Sequence, residues 1–403
     1  MVDDPAESTH ILLNTCGFIR EAKEESIKAI LSASAQYPGQ TLMVMGCLVE
    51  RYRDELREGI PEVDAWFGLA EADVQSKVRD AVLGERGVLP PEAVGRSVSG
   101  GAHAYLKISD GCDESCSFCA IPGIKGPYRS ATTEDILREA EECLAEGARE
   151  LILVGQDTTR WTNGGLTLSG LVDLLAADDR LRWIRLMYLQ PARVDDSFLE
   201  FMASHKKLCP YLDLPFQHSH PEIVRHMGRR GDGETYLGLL GRARRLMPHV
   251  SVRSTFIVGF PGETEEHFAH LVSFVKKARF DYAGGFVYSP EEGTEARGLR
   301  PRVGRSVAGR RLNHLNDVLG ETAEREHRGL IGREFEVMID VIDRERRTGG
   351  TVAVGRTRGQ APDVDGVTYV EGRVPRGSAP GDLVAVKISS VVGCDLIGEC
   401  RAS

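Results

Sequence analysis

YLKISDGCDESCSFCAIPGIKGPYRS, residues 105–130, joins a short apolar strand, Tyr105–Ser109, to a loop carrying Cys112, Cys116 and Cys119 at spacings of four and three. A loop can wrap three thiols so spaced around one metal centre. Soft thiolates select zinc, copper(I) or iron–sulfur clusters. Structural zinc takes four ligands, and the nearest further candidate, His103, precedes the strand. Two readings stand here: a zinc knuckle completed by a distant residue, or a cubane held by three cysteines with one iron open to a ligand.

The same segment opens a repeat of strand and helix from about residue 104 to 325. Candidate strands are Tyr105–Ser109, Leu151–Val154, Ile184–Tyr188, Leu212–Leu214, Val252–Val258 and Gly285–Tyr288. Between the first two, Thr132 and Asp135 form a capping-box pattern. Ile136, Leu137, Ala140, Cys143 and Leu144 then make an apolar stripe, and Gly147 is placed to end the helix. Six such units predict a partial or closed β/α barrel, a fold that puts its chemistry on the loops after the strands.

Upstream, residues 1–84 alternate strands at Ile11–Asn14, Leu42–Met45 and Val63–Phe67 with a helix over Arg20–Ala35, whose Ile27, Ile30 and Leu31 share a face. That is parallel βαβ architecture. Cys16 and Cys47 directly follow the first two strands, at the carboxyl ends where α/β sites form, so both thiols are expected in one crevice. Residues 85–103, rich in Gly, Pro and Ser, read as a linker. Downstream, 331–403 holds EFEVMIDVID, TVAVG, VTYV and DLVAVKI, short β-rich runs that predict a small OB-like barrel. The fold class is therefore α/β: a parallel βαβ domain, a β/α barrel and a C-terminal β-barrel.

Composition narrows the function. The net charge of −10 carries no nucleic-acid footprint for the chain as a whole. No apolar run approaches the ~18 residues of a membrane helix, and MVDDPAESTH lacks the basic start and apolar core of a signal peptide, so a cytoplasmic location is expected. Nine cysteines, an odd number without an export signal, argue against disulfide scaffolding.

CxxxCxxC after the first strand of a β/α barrel resembles the radical SAM superfamily. NTCGFI with Cys16, MGCLVERY with Cys47, ISDGCDESCSFCAIP and IVGFPGE are similar to its methylthiotransferases, and the resemblance runs over nearly the whole chain. It implies a [4Fe-4S] cluster on Cys112, Cys116 and Cys119 that binds S-adenosylmethionine (SAM). It implies a second, auxiliary [4Fe-4S] cluster on Cys16 and Cys47, and a TRAM barrel at the C-terminus. SAM then serves as methyl donor and radical source. SAM contacts are expected at Phe118, Gln156, Gln217, Arg253, Gly259 and Pro261, with core packing the alternative for Phe118 and a plain turn for Gly259.

Within that family DLPFQHSHPEIVRHMGRR (213–230), CAIPGIKGPYRS and GFVYSPEEGT look like the RimO form, which modifies an aspartate of protein twelve of the small ribosomal subunit. The alternative is the MiaB form, which modifies tRNA adenosine. The C-terminal segment favours the former: ten Lys/Arg against eleven Asp/Glu is near neutral, whereas an RNA-binding barrel should be basic. The resemblance implies a monomer served by an electron donor, with a ribosomal protein as partner.

His218 and His220 are read as solvated or hydrogen-bonded rather than as metal ligands, Cys143 and Cys209 as structural, and Cys394 and Cys400 as barrel residues. Two departures from the family are expected to matter. Its first N-terminal cysteine motif has no counterpart here, so the chain reads as short of one auxiliary-cluster ligand: the start is called late, or, as the alternative, the chain is a truncated form impaired in sulfur insertion. Ala131 stands where the family carries Arg, with Arg129 as a partial substitute.

Overall fold

A computed structural model describes residues 5–69, 74–83, 102–343, 352–372 and 374–400. The expected linker lies outside these but for its last two residues. By their contacts the described residues form two compact units. The first combines the N-terminal segment with Gly111–Arg129 and Ser289–Gly298; the second holds Ser130–Tyr288, Leu299 onward and the strand before the cysteine loop.

In the first unit a three-stranded parallel sheet runs β1 (His10–Thr15), β2 (Thr41–Gly46), β3 (Ala65–Phe67), in that order. Helix α1 (Arg20–Gln36) connects β1 to β2, and α2 (Cys47–Gly59) connects β2 to β3. Ile30, Leu42, Val44, Leu48, Val49 and Leu56 form the core. Leu31, expected inward, is 48% exposed. A helical step of ~100° from Ile30 carries it off the buried stripe.

The second unit contains all six expected barrel strands: His103–Lys107, Glu150–Val154, Trp183–Leu186, Tyr211–Asp213, Ser251–Val258 and Tyr282–Val287. They pair in parallel as two triplets, and a bridge between Ile184 and Leu208 adjoins the third strand to the fourth. Glu150–Val154 and Trp183–Leu186 are buried almost throughout, the pattern of parallel strands covered on both faces. Helix Thr133–Ala145 begins where the capping pattern placed it, with Thr132 Oγ1 accepting from the Asp135 N–H at 3.1 Å, a cap worth about 1 kcal/mol. Cys143 is buried, whereas Leu137, one helical step beyond Ile136, is 37% exposed.

Five strands, Glu334–Asp343, Val352–Thr357, Thr368–Glu371, Leu383–Val392 and Asp395–Cys400, close the C-terminal barrel. The fifth was not singled out by the sequence. This barrel plugs the amino-terminal end of the larger one. Its Met338 and Ala361 join Ile152, Trp183, Cys209, Tyr211 and Tyr282 in one apolar cluster. A buried ionic chain also crosses the seam: Glu150 accepts from Arg185 Nε at 2.7 Å and Arg356 Nη1 at 2.5 Å, and Arg356 continues to Asp340 at 2.8 Å. The two guanidiniums overcome burial, which alone would raise it, and hold the Glu150 carboxyl down at about 2. Among the described residues no helix is long and apolar enough to cross a membrane.

Candidate functional site

The loop of three cysteines is shaped by backbone contacts. Gly111 sits at φ +70°, where a Cβ would lie 2.1 Å from the Pro127 carbonyl oxygen. Cys112 N–H donates to Gly126 O at 3.1 Å, and Cys119 N–H closes a turn on Cys116 O at 3.0 Å. Glu114 N–H points at Cys112 Sγ at 3.4 Å, and Asp113 takes the Tyr128 N–H at 2.9 Å. All three thiols are half-buried and in no disulfide. Thiolate donors on a pinned, partly exposed loop, one already facing an amide N–H, suit a cluster with one open iron.

Cys16 and Cys47 are brought together by register. Thr15 pairs with Gly46, so each cysteine directly follows the end of its strand. Gly46 has φ +117° and would drive a Cβ to 2.3 Å from Thr15 O. Gly17 presses on Leu48, where a Cβ would meet the Cα at 2.6 Å, so the Cys16–Gly17 turn abuts the start of α2. The backbone segments that carry Cys16 and Cys47 thus approach closely, at positions that only glycine allows. Ser26 fixes this turn, exchanging hydrogen bonds with Cys16 N–H and C=O at 3.1 Å each.

The first unit also holds a cleft of ≈ 590 Å³, walled by Cys116 and Cys119, by Glu50, Arg51 and Tyr52 of α2, and by Glu292–Glu295. Its frame is Glu291. This buried carboxylate accepts from Lys23 Nζ at 2.7 Å, Arg51 Nη1 at 3.3 Å, Arg20 N–H at 3.0 Å and Ser289 Oγ at 2.6 Å. Burial would raise the Glu291 carboxyl, but Lys23 and Ser289 pull it below the usual range. Arg51 also donates to Gly17 O at 2.7 Å and Glu292 O at 3.2 Å, tying the Cys16 turn to the cleft wall. The lining carries Glu50, Glu114, Glu292 and Glu295 against Arg51, which is paired with Glu291; Glu292 is paired with Arg297 at 3.5 Å, so the lining is acidic on balance. The sequence reading missed Arg51, Tyr52, Glu291 and Glu292. Their signal lay in quoted motifs, MGCLVERY and YSPEEGT, read there only for cysteine and resemblance.

In the second unit, Gln156, Gln217, Gly259 and Pro261 lie on loops after barrel strands. Gln156 Oε1 is buried without a hydrogen-bond partner, which suits a ligand donor. Gln217 has φ +68° and is held by both N–H and C=O against Thr255 and Ile257. Gly259, at φ +74°, gives its N–H to Glu263 Oε2 at 3.0 Å, and Glu263 is gripped by Arg311 at 2.7 Å. Arg253 is placed differently: it lies near the amino end of its strand and is spent on Asp365 at 2.8 Å and Val364 O at 3.1 Å. Burial by the C-terminal barrel removes it from the loops that carry the other residues. Phe118 is half-buried in the first unit. Ala131 donates its N–H to Ile108 O and accepts from Trp161 Nε1, so its backbone is fixed without a long side chain.

The sequence matches the Radical SAM superfamily over residues 106–275, the Uncharacterized protein family UPF0004 over 1–68 and the TRAM domain over 331–400. It is 40% identical to the ribosomal protein uS12 methylthiotransferase RimO of Thermodesulfovibrio yellowstonii, covering 92% of this chain and 86% of that protein. It is 38% identical to the RimO of Natranaerobius thermophilus (99% and 92% covered) and 38% identical to that of Aquifex aeolicus (99% and 90%). Among solved structures it shares a fold with the radical S-adenosylmethionine methyltransferase TsrM of Kitasatospora setae, at TM-score 0.52, 17% identity and 72% and 66% coverage.

Proposed function

The chain belongs to the RimO family of ribosomal protein uS12 methylthiotransferases, and we propose that it attaches a methylthio group to an aspartate side chain of uS12. The observation that carries this reading is the acidic cleft beside Cys116 and Cys119. Carboxylates repel the phosphates of RNA and attract the cationic surface of a protein built to bind RNA. The near-neutral C-terminal barrel agrees.

Cys112, Cys116 and Cys119 would hold the [4Fe-4S] cluster, and Cys16 and Cys47 would contribute two ligands to the auxiliary one. When bound, cluster and SAM supply the radical chemistry needed to functionalise a carbon whose hydrogen is not acidic. The chain's own groups bind and position. Gln156, Gln217, Gly259 and Pro261 are assigned to SAM, with Gly259 presented by the Glu263–Arg311 pair and Phe118 beside the adenine. Arg253 is left out because Asp365 occupies it. Arg51 fixes the Cys16 turn, and the cleft carboxylates receive the basic flanks of the substrate segment. The enzyme is assigned to the cytoplasm as a monomer with a separate electron donor.

The test is anaerobic reaction of the reconstituted chain with SAM, reductant, sulfide and purified uS12, read by peptide mass. Methylthiolated aspartate is expected. An unmodified uS12 together with methylthiolated adenosine in tRNA would reverse the substrate. Iron counting separates the cluster assignments: about eight irons per chain for two cubanes, about four for one.

A further inference from the structure

Away from the thiols, the second unit gathers imidazoles from two loops of the barrel. His220 caps the short helix Pro221–His226, and Glu222 lies in its first turn. His267 is the third residue of helix Glu265–Ala278, and His270 follows one turn later. One ligand atom each from His220, Glu222 and His267 lies within 4.8 Å of the others. The His220 ring stands 4.1 Å from that of His267 and 5.2 Å, edge-on, from that of His270.

We propose that His220, Glu222 and His267 bind a zinc ion. Two imidazoles and a carboxylate are a zinc donor set, and a tetrahedral site with bonds of ~2.0–2.1 Å has ligand–ligand edges of about 3.3 Å. His267 Nε2 and Glu222 Oε2 already stand 3.5 Å apart. Imidazole must be neutral to bind metal. The turn that carries His220 is itself held: His218 Nδ1 takes the His220 backbone N–H at 3.0 Å, and Ser219 Oγ meets Nδ1 of the neighbouring His270 at 3.0 Å. His267 is buried while Glu222 is exposed, which leaves the ion a way in.

Binding has an identifiable cost. The Nδ1 atoms of His220 and His267 accept helix-cap N–H bonds, each at 3.3 Å, so the ring protons sit on Nε2. Zinc on Nε2 moves each proton to Nδ1 and gives up these two contacts, which are beyond the usual hydrogen-bond range. In return the ion would clasp the turn Gln217–His220 to the helix that follows Gly259–Glu263, two of the loops assigned to SAM. This role for the clasp rests on that assignment; the binding itself does not.

The test uses the full chain with its iron–sulfur sites filled, so that thiols do not compete. Zinc is added, excess removed by gel filtration, and zinc and iron counted together by mass spectrometry. About one zinc per chain is expected beyond the iron. The double variant His220→Ser, His267→Gln keeps both caps, since Ser suits an N-cap and Gln the third position. It should hold the same iron and lose the zinc. Glu222→Gln, at an exposed position, should weaken zinc affinity at least tenfold by calorimetry. No zinc in the native chain, or equal zinc in the native chain and the variants, overturns the proposal.

Discussion

Replacing Glu150 by Gln should test how firmly the two barrels of the second unit are joined. The side chain is fully buried between Arg185 and Arg356. Glutamine keeps the shape but leaves the buried Arg185 without a carboxylate and Arg356 with Asp340 alone, and breaking a buried pair from one side costs about 3–5 kcal/mol. Linkage gives a similar figure. A carboxyl held at about 2 instead of its ordinary 4.5 corresponds to about 3 kcal/mol of folding free energy. Because the folded value is the lower one, this contribution is complete above pH 4.5 and is lost as pH falls toward 2. Urea unfolding followed by circular dichroism should therefore show Glu150→Gln about 3 kcal/mol less stable at pH 7. The gap should narrow as pH drops below 4.5. A loss under about 1 kcal/mol, or a gap unchanged by acid, would refute the assignment of this ionic chain as a strong internal link. Glu150→Leu combined with Arg185→Met, Arg356→Met and Asp340→Asn should cost less than the single change, because every charge of the chain is then removed together.

Gly111→Ala should cut iron retention sharply, since its Cβ would fall 2.1 Å from Pro127 O, while Gly123→Ala, with open space around it, should retain full iron; iron per chain after reconstitution decides. Glu291→Gln leaves Lys23 and Arg51 without their shared carboxylate and should cost about 2 kcal/mol in urea titration, whereas an unchanged midpoint would mean that the cleft does not depend on this anchor. Burial pushes the Asp281 carboxyl up to about 7, so the fold is penalised as pH rises from about 4 through 7. Asp281→Asn should therefore gain at least about 1 kcal/mol at pH 8 and nothing at pH 4, and an equal effect at both would contradict this.

Much of this was legible in the sequence, because the strongest local patterns are also the most determinate. Three thiols at short spacing, six apolar runs ahead of helices, and glycines beside cysteines each constrain the backbone directly. What escaped was assembled from far apart. Glu291 meets Arg51 and Lys23 across more than 200 positions. His220 finds its partners only when a later helix, carrying His267 and His270 on one face, is laid beside it. Arg253 shows the same limit: its place on a strand was legible, but its bond to Asp365, in another barrel, was not. Leu31 and Leu137 show the finer limit, since an apolar pattern marks a helical face without marking its edge.

The plug at the barrel's amino-terminal end also bears on how such enzymes can be recombined. Trp183, Tyr211 and Tyr282 are sealed by Met338 and Ala361, and Glu150 is shared with Arg356. A chimera that exchanges the C-terminal barrel with a relative's must therefore carry the first residues of the barrel strands with it. A clean cut near position 330 would graft one half of an interior onto a stranger's other half. Natural exchange would meet the same barrier, so the two barrels are expected to have been inherited together.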